Sequence, residues 1–314
     1  MIEHLYSVLK LLRPRQWIKN FALFAAIVFG GQLFNLASFE NVIWGFVAFC
    51  LLASSTYIIN DILDLEKDRL HPFKKARPIA SGKISINEAI AIFILDIIVV
   101  FYLVSAIGGV FLLIAVVYFM LQLSYSFFLK NVAVFDILII AAGYILRVLA
   151  GEAISGSHIS AWLLLTTIAL SLFLAVGKRR SELTLLKNYK GAKIEEIRES
   201  LSHYSERLLD AYTAMFATST FMFYSLFTFL ENPRGIRISF DLLLPDFLPY
   251  YLQKKWLMVT ILPVIYGLLR YLEDIYEKRE GESPDRVLLS DKPLLISVLI
   301  WVVLVVFIIY VIGG

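Results

Sequence analysis

Asn60, Asp61, Asp64 and Asp68 stand at the end of an apolar stretch with the spacing Asn-Asp-x-x-Asp-x-x-x-Asp. On a helix of 3.6 residues per turn, the three aspartates fall within about 60° of one another. Carboxylates crowded on one stripe repel each other. Hard divalent cations, held by carboxylates and shared with substrate phosphates, relieve that repulsion. A helix end solvating itself at a membrane surface would use the same residue types, but three acids at helical spacing beside an intramembrane cavity favour metal. Asn60, Asp61, Asp64 and Asp68 are therefore the expected metal ligands and the expected catalytic centre.

Cations with matching chemistry surround this motif in the sequence. The run Lys74-Lys75-Ala76-Arg77-Pro78-Ile79-Ala80-Ser81-Gly82-Lys83 follows it directly. Arg77 and Lys83, tied to a Pro and to a Ser-Gly turn, are the better candidates for gripping a diphosphate and neutralising a leaving group. A second cluster is Gly177-Lys178-Arg179-Arg180-Ser181-Glu182, in which Lys178 and Glu182 lie one turn apart and can pair. Lys178, Arg179 and Glu182 are candidate substrate contacts, with anchoring at lipid head groups as the plainer reading.

A third set is Tyr125, Lys130, Asp136 and Arg147. Asp136 and Arg147 share a helix face but are separated by about 16 Å along the axis, too far to pair. An arginine deep in an apolar span is costly unless it faces a polar cavity. Arg147 is therefore expected to line one, with an ion pair to another helix as the alternative, and Asp96 is a weaker case. The last set is Arg13-Pro14-Arg15-Gln16-Trp17-Ile18-Lys19-Asn20, where Arg15 and Lys19 suit a phosphate. His4, His71, His158 and His203 show no ligand spacing.

The elements that must position these groups cross a membrane. Of the 314 residues, 59% are hydrophobic and 18% charged, with a mean hydropathy of +0.77. A soluble chain carries about 25% charged residues. A span needs about 20 apolar residues, and nine candidates fit: 18–37, 41–59, 87–106, 108–128, 132–151, 160–177, 210–230, 256–274 and 293–312. Ile107-Gly108-Gly109 allows only a tight turn. An all-α bundle of nine transmembrane helices follows, read as one domain over 1–314, because lipid leaves no other way to satisfy this much backbone. A single cysteine, Cys50, excludes a disulfide framework and a cysteine-type zinc site.

Lys and Arg crowd the 60–86 loop and the loop after span six, but are missing near 30–41, 107–109 and 151–160. Only the 231–255 loop breaks the pattern, with Arg234, Arg237, Lys254 and Lys255. Positive loops stay inside, so the N-terminus and both charged motifs are expected on the cytoplasmic side of a cell membrane. The net charge of +3 is unremarkable; the expected partner is the lipid bilayer, and no nucleic acid is expected. A homo-oligomer is compatible with such a bundle.

Taken together, the Asn60–Asp68 motif, the Arg77-Pro78-Ile79-Ala80-Ser81-Gly82 turn and nine spans resemble the UbiA superfamily of intramembrane prenyltransferases. The resemblance implies that the first motif holds Mg2+ on a diphosphate substrate. A typical member has a second aspartate-rich motif after span six, where this chain has Lys178-Arg179-Arg180-Ser181-Glu182. That departure is similar to the branch of the superfamily that acts on decaprenyl-type phosphates. The stretches that match that branch are Arg13–Asn20, Leu146-Arg147 with Gly151, Gly177–Leu183 and Leu288-Leu289-Ser290-Asp291.

The branch implies transfer of 5-phosphoribose from phosphoribosyl diphosphate to a polyprenyl phosphate, a step toward arabinan precursors of the cell wall. Conventional prenyl transfer to an aromatic or other small acceptor is the alternative. A transporter is a third reading, although the paired broken spans common in transporters are not evident.

Overall fold

The computed structural model describes residues 2–70, 74–188, 199–231, 255–278 and 284–312. Its elements are α1 (Ile2–Leu12), a 3-10 segment (Pro14–Leu23), α2 (Phe24–Phe29), α3 (Leu36–Leu63), α4 (Leu65–Leu70), α5 (Ile86–Ile107) and α6 (Gly109–Phe127). These are followed by α7 (Phe135–Ser155), α8 (Ala161–Asn188), α9 (Glu199–Ser202), α10 (Glu206–Leu230), α11 (Ile261–Glu273), α12 (Pro284–Ser290) and α13 (Lys292–Phe307). No strand occurs among the described residues, so the expected all-helical class holds.

Eight helices among the described residues are long and apolar enough to cross a membrane, against nine predicted spans. The exception is the first. Where a continuous helix was expected over 18–37, ten residues of 3-10 helix run into six of α-helix. Pro14 sits in the first turn of this segment, and Gly30 caps its end. At about 2.0 Å per residue and then 1.5 Å, the two pieces reach about 29 Å. That nearly matches a hydrocarbon layer of about 30 Å, so a stretched helix covers the distance in fewer residues. It lies hard against α7. A Cβ built on Gly151 would come within 1.9 Å of the Leu23 carbonyl oxygen, so only glycine permits this approach.

A second difference concerns α8. The predicted span ended at 177, but the helix continues through Asn188. Its 28 residues extend about 42 Å, so the Lys178–Glu182 motif rides on a rigid extension of a spanning helix. The tight turn at Ile107-Gly108-Gly109 is present, with both glycines at positive φ, 68° and 57°.

Helix α3 is the most enclosed span and packs against α5, α6 and α7. Leu23, Phe49, Leu52, Val104, Phe111 and Tyr118 form the core between them. The outer faces of α5 and α6 are apolar yet exposed, as at Leu95, Phe101, Leu113 and Met120. Surfaces of this kind are stable only against lipid or another apolar partner, so the protein is a multi-pass membrane protein. Lys190, Lys193, Arg198, Arg234, Arg237, Lys254 and His71 lie outside the described residues.

Candidate active site

The acidic motif straddles the end of α3. Asp64 caps that helix, and α4 begins one residue later. The amide of Asp64 still donates to the Asn60 carbonyl at 2.9 Å, and that of Asp68 to the Asp64 carbonyl at 2.8 Å. The helical register therefore carries through the break and keeps the acids on one side. Each acid meets a cation from a different part of the chain. Asp61 pairs with Arg13 and, at 3.0 Å, with Arg77. Arg77 bridges to Asp68 at 2.6 Å. Asp64 takes Lys130 at 2.5 Å, with the Asn60 side chain 3.4 Å from the same ammonium. Burial pushes the Asp68 carboxyl above the ordinary carboxylate range, with Arg77 opposing it and the neighbouring Asp61 adding to it.

Arg13, part of the basic Arg13–Asn20 run, was not expected at the acidic motif, yet it is the residue of that run that reaches Asp61. It was Arg15, not Arg13, that stood out as a phosphate contact, yet Arg15 is exposed. Arg13 has a left-handed backbone, φ 54° and ψ 57°, a conformation uncommon outside glycine. It immediately precedes Pro14, which itself restricts the residue before it. Its guanidinium lies over the Tyr57 ring, 4.9 Å from the centroid. The signal available in the sequence was the Arg-Pro pair at the head of the first span.

No three acidic, histidine or cysteine side chains converge to cage a metal among the described residues. Mg2+ rarely asks for such a cage, since it binds through one or two carboxylates plus phosphate oxygens and water. The donor set fits that demand, because the second oxygen of Asp61 is buried and has no hydrogen-bond partner. Among the described residues, His4 pairs with Glu88 and His158 with Glu152. Neither histidine joins the motif.

The 178–182 motif is arranged differently from its predicted pairing. Glu182, expected to reach Lys178 four residues earlier, bonds Arg179 at 2.7 Å and lies 3.6 Å from Lys74. The reason is that Arg179, not Lys178, turns into the bundle. Arg179 is fully buried, with Nε 2.7 Å from Asp136 Oδ2 and Nη2 donating to the Tyr125 hydroxyl at 2.9 Å. Lys178 is only partly buried and lies within electrostatic reach of Tyr125, Arg179, Lys19 and Glu182. Arg180 points to the opposite side, to Asp210 and Glu206.

Lys130 and Asp136 join the two motifs. The Ser200 hydroxyl lies 2.9 Å from the Lys130 carbonyl and 3.1 Å from Asp136 Oδ2. One polar network therefore runs from Asp64 through Lys130, Ser200, Asp136 and Arg179 to Glu182. Ser200, Tyr204 and Lys74 were not singled out in the sequence, since their contacts close only on folding.

Arg147 is 4% exposed, and the ion pair to another helix that was its alternative arrangement is not what the geometry gives. It donates from Nε to Asn20 Oδ1 at 2.6 Å, from Nη1 to the Gly143 carbonyl at 2.7 Å and from Nη2 to the Tyr118 hydroxyl at 2.7 Å. All three acceptors are neutral. Asp96 is held by Ser55 at 2.7 Å. Lys19 bonds the Gln16 side chain, and Lys83 is exposed. A cavity of about 1050 Å3 opens at the opposite end of the bundle, lined by Trp44, Tyr102, Phe111 and Glu152 among others. It lies away from every charged motif above.

Known proteins resemble the chain over most of its length. Decaprenyl-phosphate phosphoribosyltransferase from Corynebacterium glutamicum is 34% identical over 97% of this chain and 87% of its own length. The protein of that name from Mycolicibacterium smegmatis is 36% identical over 94% and 90%. A UbiA homologue from Archaeoglobus fulgidus, solved with GPP and Mg2+, superposes with a TM-score of 0.69 at 22% identity, covering 96% of this chain and 99% of that one. Residues 20–290 match the model of the UbiA prenyltransferase family, and with relatives this similar over nearly full length, the chain belongs to that family.

Proposed function

We propose that the protein moves a 5-phosphoribosyl group from phosphoribosyl diphosphate to a polyprenyl phosphate of the decaprenyl type, releasing diphosphate, with Mg2+ bound at Asn60, Asp61, Asp64 and Asp68. The observation that carries this reading is the asymmetry of the two charged motifs. One presents three acids, suited to a metal-bridged diphosphate. The other has a single acid of its own, Glu182, beside Lys74, Lys178 and Arg179, the last also paired with Asp136 of α7. A second metal-bound diphosphate would need more carboxylate there, whereas a bare phosphate needs cations. The relatives named for phosphoribosyl transfer at 34% and 36% identity support the same donor.

Bound at these acids, Mg2+ would neutralise charge on the departing diphosphate. The remaining work falls to the chain. Arg13 and Arg77, already at the acids, are the cations nearest a leaving diphosphate. Lys178 and Lys19 are assigned to the 5-phosphate of the donor. Arg179 is locked by Asp136, Glu182 and Tyr125, so it shapes the site and does not hold the phosphate. Arg147 and Arg15 remain candidates for the lipid phosphate, and Lys83 for its approach.

The acceptor phosphate is ionised at neutral pH, so its oxygen can attack the anomeric carbon without a general base. A new C–O bond forms there as the bond to diphosphate breaks, and the electron pair leaves with diphosphate. Catalysis rests on positioning and on charge stabilisation. The reading includes a single membrane domain with the charged end of the bundle in the cytoplasm, supported by the Lys and Arg bias of that end.

Conventional prenyl transfer is the second reading, favoured by the family match and by the GPP-bound homologue. Calorimetric binding of phosphoribosyl diphosphate to purified protein separates the two. Tight binding with Mg2+ that collapses in EDTA is expected. Failure to bind in either condition, with binding of a prenyl diphosphate, would overturn the reading.

A further inference from the structure

The short helix α9 and the turn after it carry two hydroxyls that reach into the polar network from outside both motifs. Tyr204, 6% exposed, donates its hydroxyl proton to Asp136 Oδ1 at 2.7 Å and accepts the Val134 amide at 2.6 Å. Ser200, fully buried, contacts the other Asp136 oxygen and the Lys130 carbonyl. Asp136 in turn holds Arg179, and Lys130 holds Asp64.

Val134 marks where this arrangement stores strain. Its φ is 69° and ψ −49°, close to the rare γ-turn conformation that a β-branched residue resists. Strained backbone of this kind persists only where its surroundings over-determine it. Here the Tyr204 hydroxyl supplies the acceptor for the Val134 amide. The Val134 side chain is itself 48% exposed, so packing does not account for the conformation. The kinked backbone is what carries Asp136, two residues on, between the Tyr204 hydroxyl and Arg179.

We infer that Tyr204 is a positioning residue, assisted by Ser200, that sets the separation between the acidic motif and the Lys178–Glu182 motif through Asp136–Arg179 and Lys130–Asp64. This rests on the proposed reaction, in which one donor molecule spans both motifs, its diphosphate at one and its 5-phosphate at the other. A single small element that fixes both then sets how well the donor is aligned. Binding of the lipid phosphate is not tied to the same spacing.

The test is steady-state kinetics on the purified full chain with phosphoribosyl diphosphate, a polyprenyl phosphate and Mg2+, normalised to the folded fraction measured by size exclusion. Tyr204→Phe and Ser200→Ala are compared with wild type. The expected result for Tyr204→Phe is a fall of tenfold or more in kcat/KM for the donor, with KM for the lipid changed less than twofold. Ser200→Ala should show the same selective loss at smaller size, and it decides the question if Tyr204→Phe does not fold. A merely structural role would lower the folded fraction and leave both KM values of the folded protein alone. A working wild type matched within twofold by the variant that decides the test would overturn the positioning role alone. A wild type that transfers no phosphoribose would overturn the reaction and this role with it.

Discussion

Arg179 Nε sits 2.7 Å from Asp136 Oδ2, and neither side chain is exposed to solvent. Charges buried this deeply are tolerated only when paired and further hydrogen-bonded, and here the pair is completed by Tyr125, Glu182, Tyr204 and Ser200. All three guanidinium nitrogens of Arg179 are thereby engaged within the protein.

Breaking that pair should therefore cost more than replacing it. Asp136→Asn is expected to destabilise by about 3–5 kcal/mol, since it removes the fully buried carboxylate at the guanidinium and leaves Glu182 to balance the charge. Arg179→Met should cost a similar amount. The double variant should recover part of the loss, which a double-mutant cycle on melting in detergent would reveal as favourable coupling. Additive losses would contradict the pairing.

Lys178 should behave in the opposite way. It is partly exposed and assigned to the 5-phosphate, so Lys178→Ala is expected to fold normally and to raise KM for phosphoribosyl diphosphate by about tenfold or more, roughly 1.4 kcal/mol per tenfold. Turnover at saturating donor should fall less. A variant that melts early with an unchanged KM would return Lys178 to a structural role.

Asp64→Asn keeps size and removes one charge, leaving Lys130 buried with only neutral partners. The rate is expected to fall by one to several orders of magnitude, on the order of 2–4 kcal/mol, with a rightward shift of the Mg2+ titration. The shift in the titration is the diagnostic part. An ion-pair role alone would reduce stability and leave the Mg2+ midpoint where it was.

Gly151→Ala tests the stretched first crossing. The added methyl would fall 1.9 Å from the Leu23 carbonyl oxygen, and backbone must move to admit it. Overpacking of this kind costs about 1–3 kcal/mol or more, seen as a lower melting temperature. An unchanged melt would mean that the 3-10 segment does not rest on α7 as described.

Much of the fold was legible because eight crossings are long apolar runs, and hydropathy over such runs needs no knowledge of packing. The first crossing was misjudged for a physical reason. Hydropathy counts residues, not rise per residue, so it cannot distinguish a stretched 3-10 helix from a longer α-helix. The extent of α8 was missed because its charged end looks like a loop when only polarity is considered.

The acidic motif was readable from spacing alone, since its register survives the break at Asp64. Its partners were not. Lys130 lies 66 residues from Asp64, and Ser200 lies 64 from Asp136, and no local periodicity encodes such distances. Even within one helix the choice between Lys178 and Arg179 as partner of Glu182 turns on which residue faces the bundle, which the neighbouring helices decide.

The mass of the lipid product identifies the group transferred. Purified protein would be supplied with a polyprenyl phosphate, phosphoribosyl diphosphate, a prenyl diphosphate, an aromatic acceptor and Mg2+ together, and the lipid extract analysed by mass spectrometry. Polyprenyl phosphate is expected to gain one phosphoribosyl unit, with release of diphosphate and loss of the product in EDTA. A prenylated acceptor with unmodified polyprenyl phosphate would contradict it.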